Sequence, residues 1–234
     1  MFGTEWDRYQ DGFAESLDLL LGALTQPRLA ARGTHFHFPE VGIVPRPRTQ
    51  PHPHVIVAAT TVPTVELAAR RGLPLLLGMH ADDGEQATLI GHYDRVAGGA
   101  RPIRHIAAAL AYVADSQHEA MATMRSSLPR WLGPGLRGYR RADGRPYHPR
   151  DCDQYTELLC RLHPVGTPEY CREILAATAQ RTGIDHLILM VEGAGDPART
   201  VENIIRLGTE VISVLRADPA GAGSAGSAAV CLDE

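Results

Sequence analysis

Four short, almost wholly apolar runs constrain the fold of this chain more than any other feature. They lie at 55–59 (VIVAA), 73–78 (LPLLLG), 106–114 (IAAALAYVA) and 186–192 (HLILMVE). Runs of this length with continuous apolar character read as strands buried on both faces. Helical stretches separate them. Residues 61–72 (TVPTVELAARRG) offer Thr at the cap, Pro in the first turn and Gly at the stop. Residues 83–97 are helical, 116–132 open on SQHE, a capping box, and 167–182 and 200–216 complete the set. Apolar strands alternating with helices predict an α/β fold with a parallel sheet covered on both sides. Ligand sites in such sheets lie at the strands' C-terminal ends. Here those ends are 58–61, 78–80, 114–116 and 191–195.

Flanking segments depart from this rhythm. Residues 5–24 place Trp6, Tyr9, Phe13, Leu17, Leu20, Leu21 and Leu24 on one face of an amphipathic helix. Residues 26–54 hold six prolines and read as an extended connection. Residues 133–164, rich in Gly, Pro and Arg, read as a long excursion with a short helix at 155–162. One domain is expected over 1–217, followed by a flexible low-complexity tail at 218–234.

Composition narrows the function by exclusion. The formal charge of −4 gives no reason to expect nucleic acid or an anionic membrane as partner. No apolar run approaches the ~20 residues needed to span a bilayer. The opening MFGTEWDRYQDGF lacks the basic and apolar regions of a signal peptide, so a cytoplasmic location is expected. Cys152, Cys160, Cys171 and Cys231 form no CxxC pair and read as thiols in a reducing compartment.

Three constellations carry chemistry. AATTVPT (58–64) joins a strand to a helix, and Thr60, Thr61 and Thr64 offer hydroxyls beside free helix N–H groups. It is either a phosphate seat or plain capping by Thr61. VEGAG (191–195) puts Glu192 at a strand end before two glycines, as a binding turn or as a tight turn with an ion-paired Glu. THFHF (34–38) sets His35 and His37 as an HxH, with His80 and Asp115 at later strand ends. It lies in the proline-rich connection without a second tight pair, so no metal site is expected; a metal hydrolase is the distant alternative. No GxGxxG, P-loop, GxSxG or HExxH occurs.

The order of segments resembles the luciferase-like monooxygenases, flavin-dependent barrel enzymes that include bacterial luciferase. The residues that carry the likeness are 44–78 (VPRPRTQPHPHVIVAATTVPTVELAARRGLPLLLG) and 163–193 (HPVGTPEYCREILAATAQRTGIDHLILMVEG). RGY (137–139) also falls where luciferase alpha subunits carry a similar triplet ahead of a mobile loop. The resemblance spans nearly all of 5–216 and implies a parallel (β/α) barrel of the TIM type. It implies reduced FMN supplied by a flavin reductase, with the deazaflavin F420 in one branch, and molecular oxygen acting on an aldehyde or other small organic substrate. The family's phosphate loop matches 58–64: its Glu, Ser and Thr fall at Ala59, Thr60 and Pro63, so Thr60 keeps the hydroxyl. Cofactor binding is therefore expected from Ala59, Thr60, Thr61, Thr64 and, at the rim, Glu192. The excursion 133–164 matches the region that closes over the luciferase flavin, which implies a lid.

One departure shapes the rest. A complete barrel needs eight strands and about 250 residues, whereas this chain offers four βα units, and its first helix resembles the one after the family's fourth strand. The barrel is expected to be incomplete, and the gene truncated or read from a late start. The family's catalytic histidine, reactive cysteine and phosphate-binding arginines lie mostly in the other half, so no catalytic residue is assigned. A half sheet would pair with itself or with a partner, as a homo- or hetero-oligomer, or flatten into a doubly covered sheet. A non-catalytic flavin-binding or partner subunit is the alternative function.

Overall fold

The structure, a computed structural model, describes residues 6–99, 103–138, 148 and 150–217. Contacts divide it into two compact units, one within Met1–Val55 with Tyr139–His148, the other Ile56–Gly138 with Pro149–Glu234. The tail 218–234 and part of the central excursion, 139–147 and 149, lie outside the described residues.

In the first unit, α1 (Trp6–Thr25) precedes an antiparallel hairpin of β1 (Arg28–Arg32) and β2 (His37–Gly42). The Glu15 carboxylate accepts the His35 and Phe36 N–H groups at 3.0 and 2.9 Å, tying the hairpin turn to the helix. This hairpin corrects the expectation of a plain extended connection over 26–54. Pro39 lies inside β2, yet that strand pairs with β1 alone among the described residues, so its missing N–H need cost no second ladder.

The second unit holds β3 (Val57–Ala58), α2 (Val62–Arg70), β4 (Leu75–Leu77), α3 (Asp83–Ala97), β5 (Ile106–Leu110) and β6 (Tyr112–Val113). Then follow α4 (Gln117–Gly138), α5 (Cys152–Leu162), β7 (Val165–Gly166), α6 (Pro168–Thr182) and β8 (His186–Met190). A 3₁₀ turn (Glu192–Ala194), α7 (Pro197–Arg206), a π-helical segment (Leu207–Ile212) and α8 (Ser213–Ala217) close it. The four expected strands form one parallel sheet in the order β3-β4-β5-β8. The small parallel pair β6-β7 was not legible, because Val165–Gly166 is too short for any periodicity.

Register fixes the two faces of the sheet. Val57, Leu75, Leu77, Ala107, Ala109, Leu187 and Leu189 share one face. The first five are buried, and Leu187 and Leu189 pack on a cluster of Cys171, Leu175, Leu207 and Val211 from α6 and the π-helical segment. The opposite face carries Ala58, Leu76, Ile106, Ala108 and Ile188; Ile106 is buried, whereas Ala58 is exposed and Ile188 is 50% exposed. The expectation of full cover on both sides is thus corrected: among the described residues the second face is covered along β5 and open at Ala58 and Ile188. Its fullest cover is at the C-terminal end, where Leu110, Tyr112 and Ala114 pack with Met124 and Leu128 of α4 and Leu159 and Cys160 of α5.

Helix ends follow local chemistry. Thr167 accepts the Tyr170 N–H and Gly183 stops α6 at φ 72°, as expected. At α4, Ser116 accepts the Glu119 N–H, but the Glu119 carboxylate takes the Asp115 N–H rather than that of Ser116, so the box is half made. The reciprocal box is at Asp82 and Glu85. The excursion begins later than expected, since α4 runs through Pro129 and Pro134 to Gly138 with Met124, Leu128 and Gly133 buried along it. No helix among the described residues is long and apolar enough to cross a membrane.

Candidate functional site

The rim formed by the strands' C-terminal ends in the second unit carries the candidate site. At the end of β3, Ala59 is buried and its N–H donates to Leu76 O at 3.1 Å. Its donor is engaged in the sheet, so Ala59 fixes the turn and leaves the hydroxyls to its neighbours. Thr60 is exposed, with no partner for its hydroxyl among the described residues. Thr61 is the N-cap residue of α2 but makes no capping hydrogen bond; its hydroxyl lies 3.1 Å from that of Thr64. Of the two readings of AATTVPT, side-chain capping is the one the geometry lacks. The Val62 and Thr64 N–H groups at the positive dipole end of α2 thus lack a cap from Thr61, Pro63 has no N–H, and the Thr61 and Thr64 hydroxyls lie side by side there.

Glu192 stands at the other end of the rim. It opens the 3₁₀ turn after β8, is exposed, and its carboxylate accepts the Val191 N–H at 3.0 Å. It forms no ion pair among the described residues. Because β3 and β8 are the two edges of the sheet, Glu192 and the threonines are three strand spacings apart, about 14 Å. One copy of the chain therefore does not bring these two groups together.

The glycines after Glu192 serve packing. A Cβ on Gly193 would meet Leu110 Cδ1 and Leu128 Cδ1 at 3.2 Å and Met124 Sδ at 3.3 Å, and Ser127 Oγ donates to Gly193 O at 2.8 Å. The atoms that close on Gly193 are thus side chains of β5 and α4. Gly195, at φ 67°, ends the turn in the left-handed region.

Two rim residues escaped the sequence reading. Asn203 on α7 is 1% exposed; its amide donates to Ala111 O and Val191 O at 2.9 and 3.3 Å, and its carbonyl accepts the Val113 N–H at 2.9 Å. One side chain thus joins the ends of β5, β6 and β8. His163 is buried and bonds Met79 O at 2.6 Å through Nε2, tying the end of α5 to the rim beyond β4. Burial pushes its pKa down, only partly offset by that carbonyl. Nothing in a lone Asn or His marks such roles.

His35 and His37 lie in the first unit, His35 in the hairpin turn and His37 at the start of β2. Asp115 pairs with Arg206 at 2.9 Å. No group of three or more His, Cys, Asp or Glu among the described residues is arranged to hold a metal. Burial raises the Cys160 thiol to about 12 and Cys171 to about 11, so neither is a thiolate nucleophile.

A parallel sheet of βα units places this chain among the α/β proteins whose ligand sites lie at the strands' C-terminal ends. Comparison with known proteins names the family: the luciferase-like monooxygenase family model matches residues 1–186, and the chain belongs to that family. It is 22% identical over 92% of its length to an alkanal monooxygenase alpha chain of a Kryptophanaron alfredi symbiont, covering 66% of that protein. An alkanal monooxygenase alpha chain of Photorhabdus luminescens is 24% identical over 88% of this chain and 61% of its own. The chain therefore spans less than two thirds of these relatives. Among solved structures, monooxygenase RslO1 of Streptomyces bottropensis superposes with a TM-score of 0.67 at 20% identity, over 89% of this chain and 64% of that one. The oxygenating constituent of 3,6-diketocamphane monooxygenase from Pseudomonas putida, solved with FMN, gives 0.59 at 21% identity, over 87% and 63%.

Proposed function

We propose that this chain carries the flavin-phosphate seat of a luciferase-like monooxygenase that uses reduced FMN, supplied by a flavin reductase, and molecular oxygen on a small organic substrate. The observation behind this reading is the N-terminus of α2, which Thr61 leaves uncapped, with the Thr61 and Thr64 hydroxyls side by side and the exposed Thr60 immediately before them after β3. Backbone N–H and hydroxyl donors at a positive helix end suit a phosphate dianion. When bound, the reduced flavin supplies the electrons for oxygen activation. The part of this chain is to anchor the phosphate through Thr60, Thr61 and the α2 N–H groups, while α4 and α5 shield the rim from water. FMN is favoured over F420 because a fold neighbour was solved with FMN. Cys160 and Cys171, buried and free, suit a reducing cytoplasm.

A second reading is a non-catalytic flavin-binding or partner subunit of a luciferase-like complex. Its support is that, among the described residues, the buried thiols Cys160 and Cys171 are held protonated by burial and so offer no thiolate beside the donor seat. Titration of the purified chain with FMN and riboflavin, followed by reductase-coupled oxygen uptake, tests both. Tighter binding of FMN than riboflavin with turnover supports the first reading, and the same preference without turnover supports the second. Equal or absent binding of both ligands removes the phosphate seat.

A further inference from the structure

We propose that a cavity between α3 and α6 binds one ordered water on the Gln86 side chain, and that this water completes the support of the rim loop at 78–82. The site lies on the helix-covered side of the sheet and stands apart from the flavin reading.

The loop after β4 hangs from two buried side chains. Met79 O bonds His163 Nε2 at 2.6 Å, and Ala81 O accepts a hydrogen of Gln86 Nε2 at 3.1 Å. His163 is 5% exposed and Gln86 3%. A carbonyl only accepts, so these two contacts settle how both side chains are oriented. Gln86 presents its NH₂ group to Ala81 and turns Oε1 elsewhere. Neutral His163 carries its hydrogen on Nε2, which leaves Nδ1 an acceptor. Gln86 Oε1 is then a buried acceptor that no donor of the described residues reaches. Buried polar atoms in folded proteins are rarely left so, and ordered water is a common partner.

Both side chains line one cavity, together with Asp83, Thr178 of α6 and the small residues Ala107 and Ala109 of β5. It offers about 20 Å³ to the centre of a water molecule. On that measure about 10–15 Å³ admits one water, so the cavity takes one and has no room for a larger ligand. The polar lining supplies acceptors for both hydrogens of that water. Thr178 Oγ1 already gives its own hydrogen to Asp83 Oδ1 at 3.0 Å, and Asp83 Oδ2 accepts from Arg181 at 2.8 Å. The Asp83 charge is answered there, which favours a neutral occupant over a cation.

Water on Gln86 Oε1 and His163 Nδ1 would serve the two supports of the loop at once. It holds the amide in the orientation that suits Ala81 O and the imidazole in the tautomer that suits Met79 O. Because β4 neighbours β3 in the sheet, the loop so held borders the turn that carries Thr60 and Thr61. Gln86 is in this sense a positioning residue of the rim.

A high-resolution crystal structure of the full chain should show one solvent peak about 2.7–3.2 Å from Gln86 Oε1. In solution the Gln86 side-chain amide hydrogens should show cross-relaxation with a long-lived water. Ala109→Val adds two methyl groups at the cavity and breaks neither carbonyl contact. It should abolish that signal and speed hydrogen exchange of the Ala81 and Asp82 amides by about 5–10-fold, as loss of one hydrogen bond implies, with the β4 amides unchanged. If Ala109→Val fails to fold, Gln86→Met keeps the side chain's length, removes the acceptor and should lose the water as well. A dry cavity in the wild type, a water that persists in Gln86→Met, or loop exchange unmoved by Ala109→Val overturns the proposal.

Discussion

Ser127 on α4 donates its hydroxyl hydrogen to the carbonyl of Gly193, 2.8 Å away, and so hooks α4 onto the turn that follows the last strand. The turn can be approached this closely only because residue 193 has no side chain. A carbonyl that leaves water for this contact needs its donor. Ser127→Ala should therefore cost about 1–2 kcal/mol in urea unfolding, and an unchanged midpoint would show that water replaces the hydroxyl.

Gly193→Val should cost more, about 1–3 kcal/mol, because the new side chain enters contacts with Leu110, Leu128 and Met124 that are already closed. Combining it with Leu128→Ala should recover part of the loss. Strict additivity of the two changes would argue against a shared contact.

Asn203 satisfies two buried carbonyls and one N–H at once. Asn203→Leu strands all three, and the expected loss is about 2–4 kcal/mol. Asn203→Asp should be nearly as damaging, because a carboxylate cannot donate to Ala111 O or Val191 O. Thermal unfolding of both variants checks this, and near-wild-type stability of the Asp variant would mean that the two carbonyls have other donors.

The strands and most helices of the second unit were legible in the sequence because continuous apolar runs and 3.6-residue periodicity are written locally. Thr167 and Gly183 bound α6 as their residue types suggest. What was not legible depends on partners distant in the chain. Pro39 suggested an extended segment, yet a hairpin forms because its strand has one neighbour only. The glycines after Glu192 read as a binding turn or a tight turn, and the side chains of Leu110, Leu128 and Met124 that close on Gly193 come from positions far away in the chain. Asn203 bonds residues about 90 positions away, and no local pattern announces that.

Acid should destabilise the protein through its buried histidines. His105 Nδ1 accepts the Leu75 N–H at 3.1 Å, which requires an unprotonated Nδ1, and burial holds both His105 and His163 below the usual imidazole range. A folded pKa below the unfolded ~6.5 means the unfolded chain binds protons first. Stability is then fully present above about pH 6.5 and is lost as pH falls through the folded values. His163→Gln, which keeps a donor for Met79 O but cannot be protonated, should flatten the fall in melting temperature between pH 7 and 5. A slope equal to that of the wild type would remove His163 from the account.

Thr60→Ala and Thr61→Val should weaken FMN binding by about 10-fold each, as loss of a hydrogen bond to a charged phosphate implies. Riboflavin, which lacks the phosphate, should bind wild type and variants alike. Fluorescence quenching of the two flavins separates the cases, and parallel losses for both would place the threonines elsewhere than at the phosphate.

The Asn203 clasp also sets when the rim can be finished. Its partners Ala111 and Val113 precede it by about 90 residues and Val191 by 12. During synthesis from the N-terminus the ends of β5 and β6 are made well before the side chain that joins them. A contact of that sequence separation closes late, so the rim is sealed among the last parts of the second unit.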